Sequence, residues 1–206
     1  MNEKMENKTV TDHARVIFKG GFGTIAAFLT RLGVKPNMVT LAGLFGQVIA
    51  AYFIAIGQIP LGGIITLVAA PFDFLDGTMA RYLGESSSFG AFVDSVSDRY
   101  SELVIMGGLL YYYIQNQNTL AISLVFLAAA GSMLVPYIRS RAEALGYNAK
   151  IGLLSRLERY LVLIPCLMFN IPLVALWIIA ILSNFTALQR IYHVRSQFYQ
   201  KVSKLD

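Results

Sequence analysis

The sequence predicts an all-α polytopic membrane protein, with six transmembrane helices preceded by an amphipathic helix lying in the membrane interface. Three observations predict it. Of 206 residues, 56% are hydrophobic and only 14% charged, far more apolar than a soluble domain of this length. Uncharged stretches of about 20 residues recur, each long enough to cross roughly 30 Å of hydrocarbon. The turns between them alternate between charge-free and basic.

Residues 1–9 are polar, lack the apolar core of a signal peptide and are expected to be disordered. Over residues 10–32, Ala14, Ile17, Phe18, Gly21, Ile25, Phe28 and Leu32 keep one apolar stripe. Asp12, Arg15, Lys19 and Arg31 lie off it, the pattern of an interfacial helix. The run Leu32-Gly33-Val34-Lys35-Pro36-Asn37 ends that helix, with Asn37 as the expected cap of the next. A six-span core over residues 37–189 follows, all within a single membrane domain, residues 1–206. Span one, residues 38–56, carries no charge over 19 residues. Gly57-Gln58-Ile59-Pro60 turns the chain into span two, residues 61–82, and a short polar link leads to span three, residues 89–114. Tyr111, Tyr112 and Tyr113 close span three as an aromatic belt. Span four covers residues 120–138, residues 139–159 form a basic connection, and span five runs to Phe169. After the turn Asn170-Ile171-Pro172, span six covers residues 173–188, and the tail from Gln189 is polar and basic.

The turns near residues 57–60, 115–119 and 170–172 contain no charge, whereas the 17 Lys and Arg fall on the opposite side or near it. The positive-inside rule then puts both termini on the cytoplasmic face of the cell membrane. A net charge of +5 reads as topology and attraction to anionic membrane lipids, and no basic run interleaved with aromatics suggests nucleic acid. Cys166 is the only cysteine, so no intramolecular disulfide forms, and packing is its expected role. His13 and His193 are isolated and read as interfacial. Gly43 with Gly46, and Gly107 with Gly108, read as positions of close helix packing, with a dimer interface as one place for it.

Against this apolar background the stretch from Asp73 to Asp98 stands out, because ionisable groups inside a membrane segment are costly and default to a functional reading. At about 100° per residue, Asp73, Gly77 and Arg81 share one helical stripe and Asp76 and Ala80 the stripe beside it. In the next segment Gly90, Asp94 and Asp98 again step by four, and both acid pairs lie at one membrane depth. If the two helices face each other, four carboxylates converge, and in a low-dielectric cleft they would protonate unless cations held them ionised. The donors are all hard oxygens, which favours Mg²⁺ or Mn²⁺ over Zn²⁺, with two ions if all four acids take part. Such ions serve phosphate chemistry, and the small residues beside the acids leave room for a substrate. Glu102 extends the stripe by one more turn, either supporting the acids or pairing with a cytoplasmic Arg.

Asp73-x2-Asp76-Gly77-x2-Ala80-Arg81-x8-Gly90-x3-Asp94-x3-Asp98 resembles the complete signature of the CDP-alcohol phosphotransferase (phosphatidyltransferase) family, with no departure at its eight fixed positions. The connection around Pro136 to Gly146 and Leu154 to Arg159, together with the DSxxDR ending at Arg99, is similar to phosphatidylinositol phosphate synthases. The resemblance covers roughly residues 31–200. It implies attack of an alcohol hydroxyl on the lipid-side phosphorus of a CDP-linked lipid, with release of CMP. It assigns Asp73, Asp76, Asp94 and Asp98 to metals and Asp98 also to general base, a role a carboxylate beside a metal-held phosphate can fill. Pro36, Asn37, Met38, Val39, Gly77, Arg81 and Ser87 match positions that hold the CDP-lipid; the planar fork of Arg81 suits phosphate. Arg139, Arg156 and Arg195 match basic positions of an inositol-phosphate pocket, roles that Arg141, Arg159 and Arg190 are also placed to fill.

The expected substrates are therefore CDP-diacylglycerol and a polyol phosphate, inositol phosphate first and glycerol 3-phosphate as the nearest variant, in a homodimeric phospholipid-biosynthesis enzyme. The plain alternative for the basic residues is that they only orient the chain. A divalent-cation transporter or sensor is the distant alternative for the acids. A permeation path should recruit polar groups toward mid-membrane, and spans four to six offer almost none.

Overall fold

Apolar runs punctuated by glycine and proline fold into helices and, among the described residues, into no strand. The computed structural model describes residues 23–84 and 87–203. A helical stretch over residues 23–31 (α1) is followed by α2 (Pro36–Ala55), α3 (Ile59–Ala69), α4 (Phe72–Leu83), α5 (Ser88–Gln115), α6 (Thr119–Ala144), α7 (Arg156–Met168) and α8 (Pro172–Val202). The expectations for residues 1–9 and for the first part of the interfacial helix, residues 10–22, lie outside the described residues.

Among the described residues, four stretches are long and apolar enough to cross a membrane: Pro36–Ala55, Ile59–Leu83, Thr119–Ala144 and Pro172–Lys201. α5 and α7 are not among them. α5 carries Asp94, Asp98, Arg99 and Glu102 between its seventh and fifteenth residues, and α7 has 13 residues, about 20 Å of helix.

Three local expectations are adjusted. Span two holds as one candidate crossing, Ile59–Leu83, but is built of two helices, because Pro71 lacks an N–H and its ring crowds the carbonyl four residues back; the chain turns at residues 70–71 and restarts at Phe72. Asn37 sits inside α2 rather than capping it, since Pro36, with its helix-compatible φ and dispensable N–H, takes the first position. The helices also outrun the apolar runs. α6 continues past Pro136 through Arg139 and Arg141 to Ala144, so the connection shrinks to residues 145–155, and the basic tail from Gln189 is the second half of α8. Lipid sets where apolar residues stop, whereas Arg, Lys, Gln and Ala extend a helix into water readily.

The helices divide into two compact units, one within Met1–Phe45 and Ala69–Asp98, the other within Gly46–Val68 and Arg99–Asp206. In the first unit Ala26 of α1, Val39 of α2, and Leu75 and Met79 of α4 form a small buried apolar cluster. A Cβ added at Gly43 would lie 2.9 Å from the Cβ of Phe72, so α2 and α4 touch almost backbone to backbone there.

In the second unit Ala50, Ile54, Ile105, Leu109, Leu167 and Leu176 belong to a much larger buried cluster. α6 packs along α8, and α7 packs against α8. A Cβ at Gly108 would stand 2.5 Å from the Ala51 carbonyl oxygen, whereas at Gly107 it would meet nothing within 4 Å. Asn184 ties α8 to α6, its amide donating to the Leu127 carbonyl at 2.9 Å. Glu102 takes the second of its two readings. Its carboxylate accepts from Arg159 Nε at 2.8 Å and Nη2 at 3.0 Å, in a pair with side chains only 8% and 4% exposed. Arg159 donates further to the Leu154 carbonyl, and buried Arg190 donates to the carbonyls of Ile151 and Val135. Two buried arginines thereby pin the connection between α6 and α7 from inside.

Candidate functional site

α4 is amphipathic in an unusual sense, since its buried face reads Leu75, Asp76, Met79. It stops at Gly84, whose φ of +65° is open to glycine and whose N–H caps the carbonyls of Ala80 and Arg81. α5 starts under a side-chain cap, the Ser87 hydroxyl oxygen accepting from the Gly90 N–H at 3.0 Å. From these two anchored ends Asp73 projects from the first turn of α4, and Asp94 and Asp98 from the second and third turns of α5.

Carboxylate oxygens of Asp73, Asp94 and Asp98 lie within 4.8 Å of one another, each side chain half-buried. That spacing is of the size an ion's shell spans, about 4.2 Å between opposite oxygens for Mg²⁺. An all-oxygen, anionic donor set fits Mg²⁺ or Mn²⁺ and suits neither the thiolate nor the imidazole preferences of softer metals. Three of the four predicted acids therefore come together. Asp76, 4% exposed, has its Oδ2 occupied instead by the hydroxyl of Thr40, which donates a hydrogen bond to it.

Beside the acids a cleft of about 310 Å³ opens within the same unit. Pro36, Asn37, Gly77, Arg81 and Ser87 line it together with Asp76 and Asp94. A side chain at Gly77 would reach toward Arg81, its Cβ 3.7 Å from Nη1, and one at Gly90 would sit 3.2 Å from the Ser87 hydroxyl and 3.7 Å from Asn37 Oδ1. Both glycines thus keep the floor of the cleft open. Arg81 is steadied by its own helix, Nη2 donating to the Thr78 hydroxyl at 3.2 Å. Met38 and Val39 are not among the lining residues: Met38 is exposed, and Val39 is buried in the small apolar cluster. Neighbouring positions on a helix face different ways, so a four-residue match along α2 selects only its Pro36–Asn37 edge.

Lys35, Thr40 and Ala91 also line the cleft and escaped the sequence reading. A signal for Thr40 existed, since it stands one helical turn after Pro36 on the same face.

The predicted acceptor arginines lie in the second unit on three helices. Arg139 of α6 pairs with Glu143 at 3.0 Å, both about half exposed. Arg156 begins α7, its guanidinium 5.3 Å from the ring centre of Tyr160, and Arg195 of α8 lies 5.6 Å from that of Tyr199. Of the alternatives, Arg159 and Arg190 are taken up by Glu102 and by main-chain carbonyls.

The family model described as CDP-alcohol phosphatidyltransferase matches residues 34–189. A phosphatidylinositol phosphate synthase of Streptomyces avermitilis is 34% identical over 202 residues, covering 90% of this chain and 82% of that one. An archaetidylinositol phosphate synthase of Pyrococcus horikoshii is also 34% identical, covering 84% and 90%. The crystal structure of Mycobacterium tuberculosis phosphatidylinositol phosphate synthase with CDP-DAG bound superposes with a TM-score of 0.79 at 28% identity, covering 84% of this chain and 92% of that one. The same enzyme in complex with manganese and citrate matches equally well, at a TM-score of 0.79 with 84% and 88% covered.

Proposed function

Because this chain belongs to the CDP-alcohol phosphatidyltransferase family, we propose that it transfers the phosphatidyl group of CDP-diacylglycerol to a hydroxyl of inositol phosphate, giving phosphatidylinositol phosphate and CMP. The observation that carries the reading is the meeting of Asp73, Asp94 and Asp98 beside a cleft floored by glycine and flanked by Arg81. For the acceptor, both relatives' names contain inositol phosphate while differing in the lipid they join to it. Inositol phosphate is accordingly preferred over glycerol 3-phosphate.

In this reading Asp73, Asp94 and Asp98, with Asp76, hold two divalent cations, Mg²⁺ or Mn²⁺. Bound there, a divalent cation neutralises diphosphate charge and makes the phosphorus more electrophilic. Pro36, Asn37, Gly77, Arg81 and Ser87 receive the CDP moiety, Arg81 as a bidentate phosphate donor. Asp98 takes the proton of the acceptor hydroxyl as the new oxygen–phosphorus bond forms. The bond from that phosphorus to the bridging oxygen breaks, and CMP leaves with the electron pair. Arg139, Arg156 and Arg195 receive the phosphate of the acceptor, two of them preset against tyrosine rings. The chain acts as one membrane domain with six crossings, α5 and α7 included, as a homodimer with termini and cleft on the cytoplasmic side. The charge-free turns on one side and basic ends on the other support that orientation.

The test is CMP release by the purified protein in detergent with CDP-diacylglycerol and Mg²⁺, offering inositol phosphate, glycerol 3-phosphate, free inositol and serine separately. Turnover with inositol phosphate alone is expected. Turnover with glycerol 3-phosphate alone would retire the acceptor and keep the cleft chemistry.

A further inference from the structure

α2 and α4 meet at two points in the first unit, and the register between them is informative. Gly43 lies against Phe72, and three residues earlier on α2 Thr40 reaches Asp76, four residues later on α4. The helices therefore run antiparallel, and the glycine contact brings a hydroxyl onto a carboxylate. Thr40 and Asp76 are each 4% exposed. The Thr40 oxygen also lies 3.3 Å from the Pro36 carbonyl, the position of a β-branched hydroxyl folded back along its own helix. A hydroxyl has one proton, and a carboxylate oxygen is a stronger acceptor than a main-chain carbonyl. Thr40 thus directs its proton at Asp76 Oδ2, while Asp73, Asp94 and Asp98 gather their oxygens without Asp76.

We infer that Thr40 is a positioning residue for the divalent-cation site: by engaging Oδ2 it locks the rotamer of Asp76 and leaves Oδ1 as the oxygen offered to a cation. The same side chain joins the two halves of the cleft, because Pro36 and Asn37 line it from the turn of α2 just before Thr40. A hydroxyl at position 40 is then required for tight metal binding, and neither charge nor bulk there substitutes for it. The inference rests on the transferase reading for its relevance to turnover, but its first readout does not need the substrates.

The experiment is a titration of the detergent-purified full chain with Mn²⁺ alone, following the free ion by its EPR signal, on the parent, T40V, T40S, D76N and T40V/D76N. Loss of an orienting partner of a metal ligand costs about 10- to 100-fold in affinity, and that weakening is expected for T40V, whose side chain has the same shape without the hydroxyl. T40S should bind close to the parent, and T40V should add nothing in the D76N background. T40A removes the same hydroxyl and replaces T40V if that variant does not fold. In CMP release, the Mn²⁺ concentration for half-maximal rate should rise in T40V by the same factor. Parent-like Mn²⁺ affinity in T40V or T40A would overturn the assignment, as would an additive loss in the double variant. Weaker Mn²⁺ binding in T40V alongside a parent that releases no CMP from any acceptor would uphold the positioning role and defeat the proposed reaction.

Discussion

In the unit holding the acids, the buried apolar cluster is Ala26, Val39, Leu75 and Met79, whereas the other unit gathers nineteen residues into its own. Their buried charges differ in the same direction. Glu102 faces Arg159 and Arg190 faces carbonyls in the larger cluster, so its ionic groups are matched internally. In the smaller unit three carboxylates of one sign converge. Like charges brought together repel one another, and a bound cation relieves that repulsion. One unit is therefore built to hold its shape, and the other to hold something else.

The comparison would break most visibly at Asp98. D98N is expected to lower CMP release by about 10²- to 10⁴-fold, the usual worth of a positioned base. Normal turnover would remove Asp98 from the base role. The opposite signature belongs to Glu102. E102Q strands the Arg159 guanidinium in a buried site and is expected to cost about 3–5 kcal/mol of stability, read as a lower unfolding midpoint with turnover per folded molecule retained. E102L/R159M should recover most of that loss. A smaller effect sharpens the contrast between adjacent glycines. G108A drives a Cβ into the Ala51 carbonyl and should cost about 1–3 kcal/mol, while G107A, with open space around it in the middle of α5, should raise the midpoint slightly, by the roughly 0.5–1 kcal/mol that Ala gains over Gly inside a helix.

The helices of this fold were legible because lipid demands long apolar runs and glycine and proline interrupt them. The site was legible because Asp73, Asp76, Asp94 and Asp98 stand where apolar residues belong. What periodicity could not decide was the effect of each proline. Pro71 ends a helix, yet Pro136 and Pro165 lie inside α6 and α7; neighbouring segments can re-satisfy the carbonyls a proline frees, and that depends on packing. Glu102 shows the same limit, for its helical stripe points equally well at the acids and at Arg159, and only the approach of α7 selects the partner. Thr40 was hidden for a third reason. A threonine in an apolar span is unremarkable until the helix opposite presents a carboxylate, and the helix opposite is brought close by Gly43.

The turn at Pro71 also bears on how the protein is made. α3 has 11 residues and α4 has 12, lengths of about 16 and 18 Å that cannot separately cross a bilayer core of about 30 Å. The machinery that threads a nascent chain sideways into lipid sees the summed hydrophobicity of a stretch, and here the stretch is the 25 residues of Ile59–Leu83. Asp73 and Asp76 weigh against partition, by up to about 2.5–3.5 kcal/mol each at a helix centre. The charge-free α3, Ile-Pro-Leu-Gly-Gly-Ile-Ile-Thr-Leu-Val-Ala, is the counterweight that carries them in. A charge introduced into α3 would thus appear first as failed biogenesis, before any chemistry could be assayed.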